Sequence, residues 1–232
     1  MMEMLDFGFY NMDCMKGMAE FPDAFFDLAI VDPPYGIGVC SLAYTNGVEM
    51  VWRALAKRKD YRHNEWDIKP EKEYFDELER VSKKQIIWGG NYFSDMLKPS
   101  KSFVVWDKRC NDNMVNDFAD CEYAYLSNGM GVARVFRYLW NGMLQGNMKN
   151  KENRIHPTQK PVALYEWLLD KYMPNGGVLL DTHVGSASSL IAAREMGIKY
   201  VGFEIDQEYY AQAKKRLDAA EAQRNIFDFI GE

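Results

Sequence analysis

The residues most able to do chemistry come early in the chain. The stretch LAIVDPPYGIG, Leu28 to Gly38, runs from strand formers into a carboxylate, two prolines, an aromatic and glycines. A strand ending this way would deliver Asp32 and Tyr35 to the rim of a sheet. Pro33 and Pro34 fix φ and hold that turn stiff, so an acceptor and a flat ring stand side by side before any ligand arrives.

A second candidate lies near the other end, in GGVLLDTHVGSASSLIAAREMGIKYVGFEID. A buried strand would end at Asp181, and a small-residue turn containing Gly185 and Ser186 would lead into a helix. A further strand would end at Glu204, about 20 residues after the glycine, where a carboxylate can bind ribose hydroxyls. Gly185 is the only glycine in that turn, so a plain tight strand-to-helix connection fits the pattern as well. His183 reads as a neutral, space-filling histidine or as a specific contact. In HPTQKP, His156 to Pro161, the proline preorganises a helix start whose free N–H groups favour an anion, and Lys160 adds positive charge. A carboxylate-bearing ligand suits that place; a proline-punctuated helix start is the simpler alternative.

Charge is unevenly spread. The formal net charge is −6, yet Arg53, Lys57, Arg58, Lys59 and Arg62 face only Asp60 in their stretch. Arg134, Arg137, Lys149, Lys151, Arg154 and Lys160 face only Glu152 in theirs. Two basic stretches on an acidic body suit a polyanion held in a groove, and equally suit solvated loops. The four cysteines form no C-x-x-C pair and no metal-ligand spacing with the three histidines, which reads as free thiols in a reducing cytoplasm. No uncharged apolar run approaches the roughly 18 residues of a membrane span, and the N-terminus lacks the pattern of a signal peptide. A soluble, cytoplasmic protein is the expectation.

These side chains need a scaffold. Strand-like runs occur at Phe7–Asn11, Leu28–Val31, Gln85–Trp88, Phe103–Trp106, Cys121–Leu126, Val135–Trp140, Val178–Leu180 and Tyr200–Phe203. Helical patterns lie between them at Glu71–Ser82, Pro161–Tyr172, Ser186–Met196 and Gln207–Gln223, with Asp206 as an N-cap and Gly197 as a stop. Alternation of this kind implies an open, doubly wound α/β sheet in a single domain, residues 1–232. Cys121–Trp140, with SNGMG inside it, reads as an antiparallel hairpin. Residues 39–69 and 108–153 fit the alternation poorly and read as inserted segments over the strand ends, the second carrying the hairpin and a small recognition region.

Taken together, the stretches YNMDCMKGMAEFPDAFFDLAIVDPPYGIG, IIWGGNYF, HPTQKPVALYEWLL and DTHVGSASSLIAAREMGIKYVGFEIDQEYYAQAKKRL resemble the circularly permuted (beta) group of DNA amino-methyltransferases. There D-P-P-Y comes first and the glycine-rich cofactor motif near the C-terminus. The resemblance implies a Rossmann-like sheet of about seven strands, one antiparallel, S-adenosylmethionine as cofactor, and a base flipped out of DNA as substrate. It makes Asp32, Pro33, Pro34 and Tyr35 the catalytic motif and places Asp13 and Cys14 beside the cofactor's adenine. His156, Thr158 and Lys160 would meet the methionine carboxylate. Asp181, His183, Gly185 and Ser186 would line the methionine end, and Glu204 would hold the ribose. Arg53, Lys57, Arg58, Lys59, Arg62, Lys149, Lys151 and Arg154 are the candidate DNA contacts. An Asp at the start of the motif implies adenine-N6 as the target, where cytosine-N4 relatives usually carry Ser.

The cofactor turn departs from the family pattern: Thr182 replaces proline, His183 an aromatic and Ala187 the second glycine. Alanine there is strained if φ is positive. The alternatives are therefore cytosine-N4 methylation and a non-catalytic DNA-binding relative with a decayed cofactor site. The resemblance further allows a homodimer, a cognate restriction nuclease, and a bacterial or phage origin.

Overall fold

The structure is a computed structural model. It describes residues 4–37, 67–110, 119–141 and 144–230, without the side chains of 223–230. Its strands are β1 (Gly8–Asn11), β2 (Leu28–Val31), β3 (Gln85–Trp88), β4 (Phe103–Asp107), β5 (Cys121–Leu126), β6 (Arg134–Arg137), β7 (Trp140–Asn141), β8 (Leu144–Gln145), β9 (Val178–Asp181) and β10 (Lys199–Glu204). Its α-helices are α1 (Cys14–Ala19), α2 (Lys72–Val81), α3 (Val162–Tyr172), α4 (Ser188–Glu195) and α5 (Gln207–Ile230).

Eight strands form one sheet in the order β1-β10-β9-β2-β3-β5-β4-β6. Every pairing is parallel except those of β5, which runs antiparallel to β3 and β4. The doubly wound α/β reading holds, with one antiparallel strand, and the sheet has eight strands where about seven were expected. The central strands LAIV and QIIW are buried along their whole length, as strands covered on both faces must be. Side chains alternate between the faces. Leu28 and Ile30 pack with Leu164, Leu168 and Ala192 of α3 and α4. Ala29 and Val31 pack with Met18, Phe75 and Leu78 of α1 and α2. Each of the larger side chains among these, the alanines apart, contributes about 1.5–3 kcal/mol by its burial.

Helix ends follow local chemistry. Asp206 accepts from the N–H groups of Glu208 and Tyr209 at 2.8 and 2.9 Å, capping α5. Gly197, at φ +69, stops α4. Pro161 serves as the cap of α3 instead of its first turn, because its ψ of 149° is extended. The N–H of Val162 then donates to Glu152 Oε1 at 3.0 Å.

The expected hairpin over Cys121–Trp140 is corrected. β5 is flanked by β3 and β4, so both its edges are taken and β6 has no place beside it. The chain instead passes β4 and pairs parallel to it, Val104 opposite Arg134. The expected strand Val135–Trp140 is also divided. β6 ends at Arg137, and Trp140–Asn141 forms a separate two-stranded ladder with Leu144–Gln145. The division follows the Trp140 indole, whose N–H donates to the Gln159 carbonyl at 2.9 Å. Most of the expected insertion at 39–69, residues 39–66, lies outside the described residues.

Candidate active site

Parallel neighbours end on the same edge of a sheet. β1, β10, β9, β2 and β3 therefore bring Asp13, Glu204, Asp181, Asp32 and Gly89 to one rim, the edge where open α/β sheets bind ligands. β5 runs the other way, so its beginning meets that rim and adds Glu122.

At the centre, both oxygens of Asp32 are engaged. Oδ1 accepts from the Tyr35 hydroxyl at 2.7 Å, and Oδ2 accepts from Lys160 Nζ at 2.5 Å. Lys160 is 4% exposed. Its ammonium also lies 3.1 Å from Glu122 Oε2 and over the Trp88 ring, 5.2 Å from the centroid. Glu122 Oε1 in turn accepts from Lys108 Nζ at 2.9 Å. The result is a row of alternating charges: Asp32, Lys160, Glu122, Lys108. Burial alone would lower the pKa of Lys160, but the Asp32 and Glu122 carboxylates outweigh it and hold it above the ordinary lysine value. Burial alone would raise that of Glu122, but Lys160 and Lys108 hold it below the ordinary value. Both stay charged.

Tyr35 is held from three sides. Burial, then the neighbouring Asp32 and Glu122 carboxylates, raise its pKa well above the usual phenol value, so it remains a donor. Its ring stacks on Tyr92 at 4.7 Å between centroids and meets the edge of Phe93 at 6.0 Å. Gly89, at φ +68, leaves the ring room: a Cβ there would stand 2.2 Å from Tyr35 Cε1. The N–H of Gly36 donates to Asp67 Oδ1 at 3.0 Å, which joins the two ends of the segment outside the described residues.

On the same rim lies a cavity of about 300 Å³, lined by Asp13, Cys14, Tyr74, Thr182, His183 and Glu204 among others. Asp13 caps α1 by accepting from the Met15 N–H at 2.7 Å. Glu204 accepts from the N–H groups of Gly185 and Asp206, at 2.8 and 2.9 Å. Burial raises its pKa, and those N–H groups oppose the shift. Burial, then the Asp13 charge, push the Cys14 thiol up to about 12, which makes it an inert wall. The His183 pKa is pushed down to about 4, chiefly by burial, which keeps the ring neutral. The substitutions in the cofactor turn have partners: Thr182 Oγ1 lies 2.6 Å from the Tyr74 hydroxyl and 2.9 Å from His183 Nδ1. Ala187 has φ +64, so the strained alternative is the one adopted.

Other expected residues surround the cavity without lining it. The Asp181 carboxylate accepts from the His183 N–H at 3.0 Å and from the Ser189 hydroxyl. Its pKa is raised to about 7, chiefly by burial. The His156 ring lies against the Gly185 turn, with Nδ1 3.0 Å from Thr158 Oγ1. Ser186 is buried, and its carbonyl accepts from Arg216 Nη1 at 2.6 Å. Lys160 directs its ammonium at Asp32 and Glu122. Of the expected DNA contacts, Lys149 and Lys151 are exposed, while the Arg154 guanidinium lies 4.4 Å from the Trp140 ring centroid. Arg53, Lys57, Arg58, Lys59 and Arg62 lie outside the described residues. The described cysteines Cys14, Cys110 and Cys121 are free thiols. Among the described residues no helix is long and apolar enough to cross a membrane.

Sequence reasoning missed Glu122, Tyr92 and Tyr74. Glu122 had a signal, a lone carboxylate in the apolar and aromatic strand CEYAYL. Tyr92 had none beyond its aromatic character, because it reaches Tyr35 through a 3₁₀ turn, Gly90–Phe93.

Residues 128–215 match the family model N6_N4_Mtase, described as DNA methylase. YubD of Escherichia coli (strain K12), a protein named as a methylase, is 26% identical over 224 residues, covering 92% of this chain and 91% of YubD. The solved M1.HpyAVI–SAM complex is similar with a TM-score of 0.54 at 18% identity, over 90% of this chain and 98% of that one. The solved PvuII DNA methyltransferase, cytosine-N4-specific, gives a TM-score of 0.56 at 13% identity, over 92% and 90%.

Proposed function

We propose that this chain, a relative of the N6/N4 DNA methylases, transfers a methyl group from S-adenosylmethionine to the N6 amino group of an adenine flipped out of DNA. The observation that carries the reading is the Asp32 carboxylate, fixed at the end of a central strand beside Tyr35, on the same sheet rim as the cavity-lining Asp13 and Glu204.

The residues around the cavity suit that cofactor. A volume of about 300 Å³ is within the usual range of small-molecule sites. Asp13 and Glu204 offer acceptors for hydroxyl and amino groups, Tyr74 and His183 offer ring surface, and a neighbour in structure was solved with the same compound. When bound, S-adenosylmethionine supplies a methyl group already activated on a sulfonium. The protein's task is then to align the nucleophile and to stabilise charge.

An adenine amino group is a weak nucleophile because its lone pair is delocalised into the ring. It must pyramidalise as positive charge develops on nitrogen. Asp32 uses one lone pair of each oxygen on Tyr35 and Lys160, and a carboxylate has about four acceptor positions. About two therefore remain, one on each oxygen; one N–H of the base takes one of them, and the carbonyl of Pro33 or Pro34 accepts the other N–H. Acceptors already aimed at the developing charge lower the barrier. Reaching the nitrogen requires extruding the base, which costs a few kcal/mol. Stacking on Tyr35, in the place Tyr92 occupies, returns roughly 1–3 kcal/mol.

The test is methyl transfer to mixed-sequence DNA from labelled S-adenosylmethionine, with product nucleosides identified by mass spectrometry. N6-methyladenine is expected, and Asp32→Ala should abolish it. N4-methylcytosine would move the chain to the cytosine reading, which the PvuII likeness keeps open. Absence of both products would end the catalytic reading.

A further inference from the structure

The alternating row of charges contains two members, Glu122 and Lys108, that neither the D-P-P-Y motif nor the HPTQKP stretch accounts for. Glu122 enters the site on β5, which runs antiparallel to both of its neighbours. It shares the buried Lys160 ammonium with Asp32, at 3.1 Å against 2.5 Å. We infer that Glu122 is a positioning residue of the transfer step, acting through Lys160 to keep Asp32 available to the amino group. The inference rests on the proposed activity and deepens it.

The argument is electrostatic. An ammonium buried beside the reacting nitrogen opposes the positive charge that develops there on methylation. It also competes for the acceptor positions of Asp32. With both carboxylates ionised, the row of Asp32, Lys160, Glu122 and Lys108 carries no net charge. With Glu122 neutral, Lys160 would be held by Asp32 alone and the row would carry one net positive charge, which opposes that development. Lys108 and Trp88 fix the geometry, the first on the far oxygen of Glu122 and the second under the ammonium. None of Glu122, Lys160, Lys108 and Trp88 lines the cavity, so the effect expected of Glu122 is on the chemical step.

The experiment compares Glu122→Gln, Glu122→Asp, Lys160→Gln and the double variant Glu122→Gln/Lys160→Gln in full-length protein. It reads kcat at saturating S-adenosylmethionine, Kd for S-adenosylmethionine by calorimetry, and thermal midpoint. Glu122→Gln is expected to lower kcat by at least about tenfold with Kd within about twofold, as for loss of an interaction made in the transition state. Glu122→Asp should recover part of the rate. The double variant should be no slower than Lys160→Gln, because residues acting through one partner are not additive. That last comparison stands even if Glu122→Gln alone does not fold, since the double variant removes the buried Lys160 ammonium together with its second carboxylate partner. Wild-type kcat in Glu122→Gln, a loss confined to Kd, or additive losses would each overturn the inference alone. No methyl transfer by the unsubstituted chain would overturn the proposed activity and the inference with it.

Discussion

Asp181 is the residue whose chemistry is most altered by its surroundings. Burial raises its pKa from 3.8 to about 7, against the opposing bonds from Ser189 and the His183 N–H. Between those two values the folded protein holds a proton that the unfolded chain releases. Stability therefore falls as pH rises through that window, and the full cost, on the order of 4 kcal/mol, applies above it. Asp181→Asn keeps the shape and removes the charge. It should raise the thermal midpoint at pH 8 by at least about 5 °C and change it little at about pH 4, below which the cost is absent, as scanning calorimetry would read. Ala187 is a second strained residue whose terms nearly cancel. A left-handed alanine costs about 1–2 kcal/mol, while glycine in its place would lose a buried methyl, about 0.8 kcal/mol, and loosen the unfolded chain by about 0.4–1 kcal/mol. The near balance explains why this turn manages without its second glycine.

At the scale of elements, β5 and the turn after β3 decide the site. Because β5 is antiparallel, its first residues lie where its neighbours' last residues lie, and Glu122 meets Lys160. The turn begins with Gly89 in the left-handed region and continues into Gly90–Phe93, carrying Tyr92 onto Tyr35. Gly89→Ala should therefore act twice. It puts a side chain at φ +68 and a Cβ 2.2 Å from the Tyr35 ring. The expected outcome is a loss of about 1–2 kcal/mol in chemical denaturation, with a fall in kcat as Tyr35 leaves Asp32. An unchanged kcat would mean that the ring's position is immaterial to transfer.

At the scale of the molecule, charge is the organising quantity. The chain is acidic, with net charge −6, yet basic residues gather at 53–62 and 134–160. Glu152 ties the second of these to the cofactor turn through Arg216, Nη2 to Oε2 at 2.5 Å and Nη1 to the Ser186 carbonyl at 2.6 Å. The first stretch lies outside the described residues and is tested by salt. Neutralising Lys57, Arg58 and Lys59 together should weaken binding to every DNA sequence and reduce the slope of log K against log salt by about 2–3. An unchanged slope would exclude this stretch from the phosphate contacts.

The sequence by itself determined the alternation of strands and helices, the doubly wound class, and the delivery of Asp32, Asp181 and Glu204 to strand ends. These rest on local signals: continuous apolar runs, proline stiffness, small-residue turns and caps at Asp206 and Gly197. It also misread one element, because SNGMG between two strands looks the same whether they pair or not. Only the tertiary structure decided that β4 lies between β5 and β6, since pairing depends on which strand edges are already filled. It alone turned Lys160 toward Asp32 and Glu122, across 128 residues of chain in the first case. A lysine's ammonium, once buried, goes where carboxylates from other elements converge, and that convergence is a property of the folded sheet.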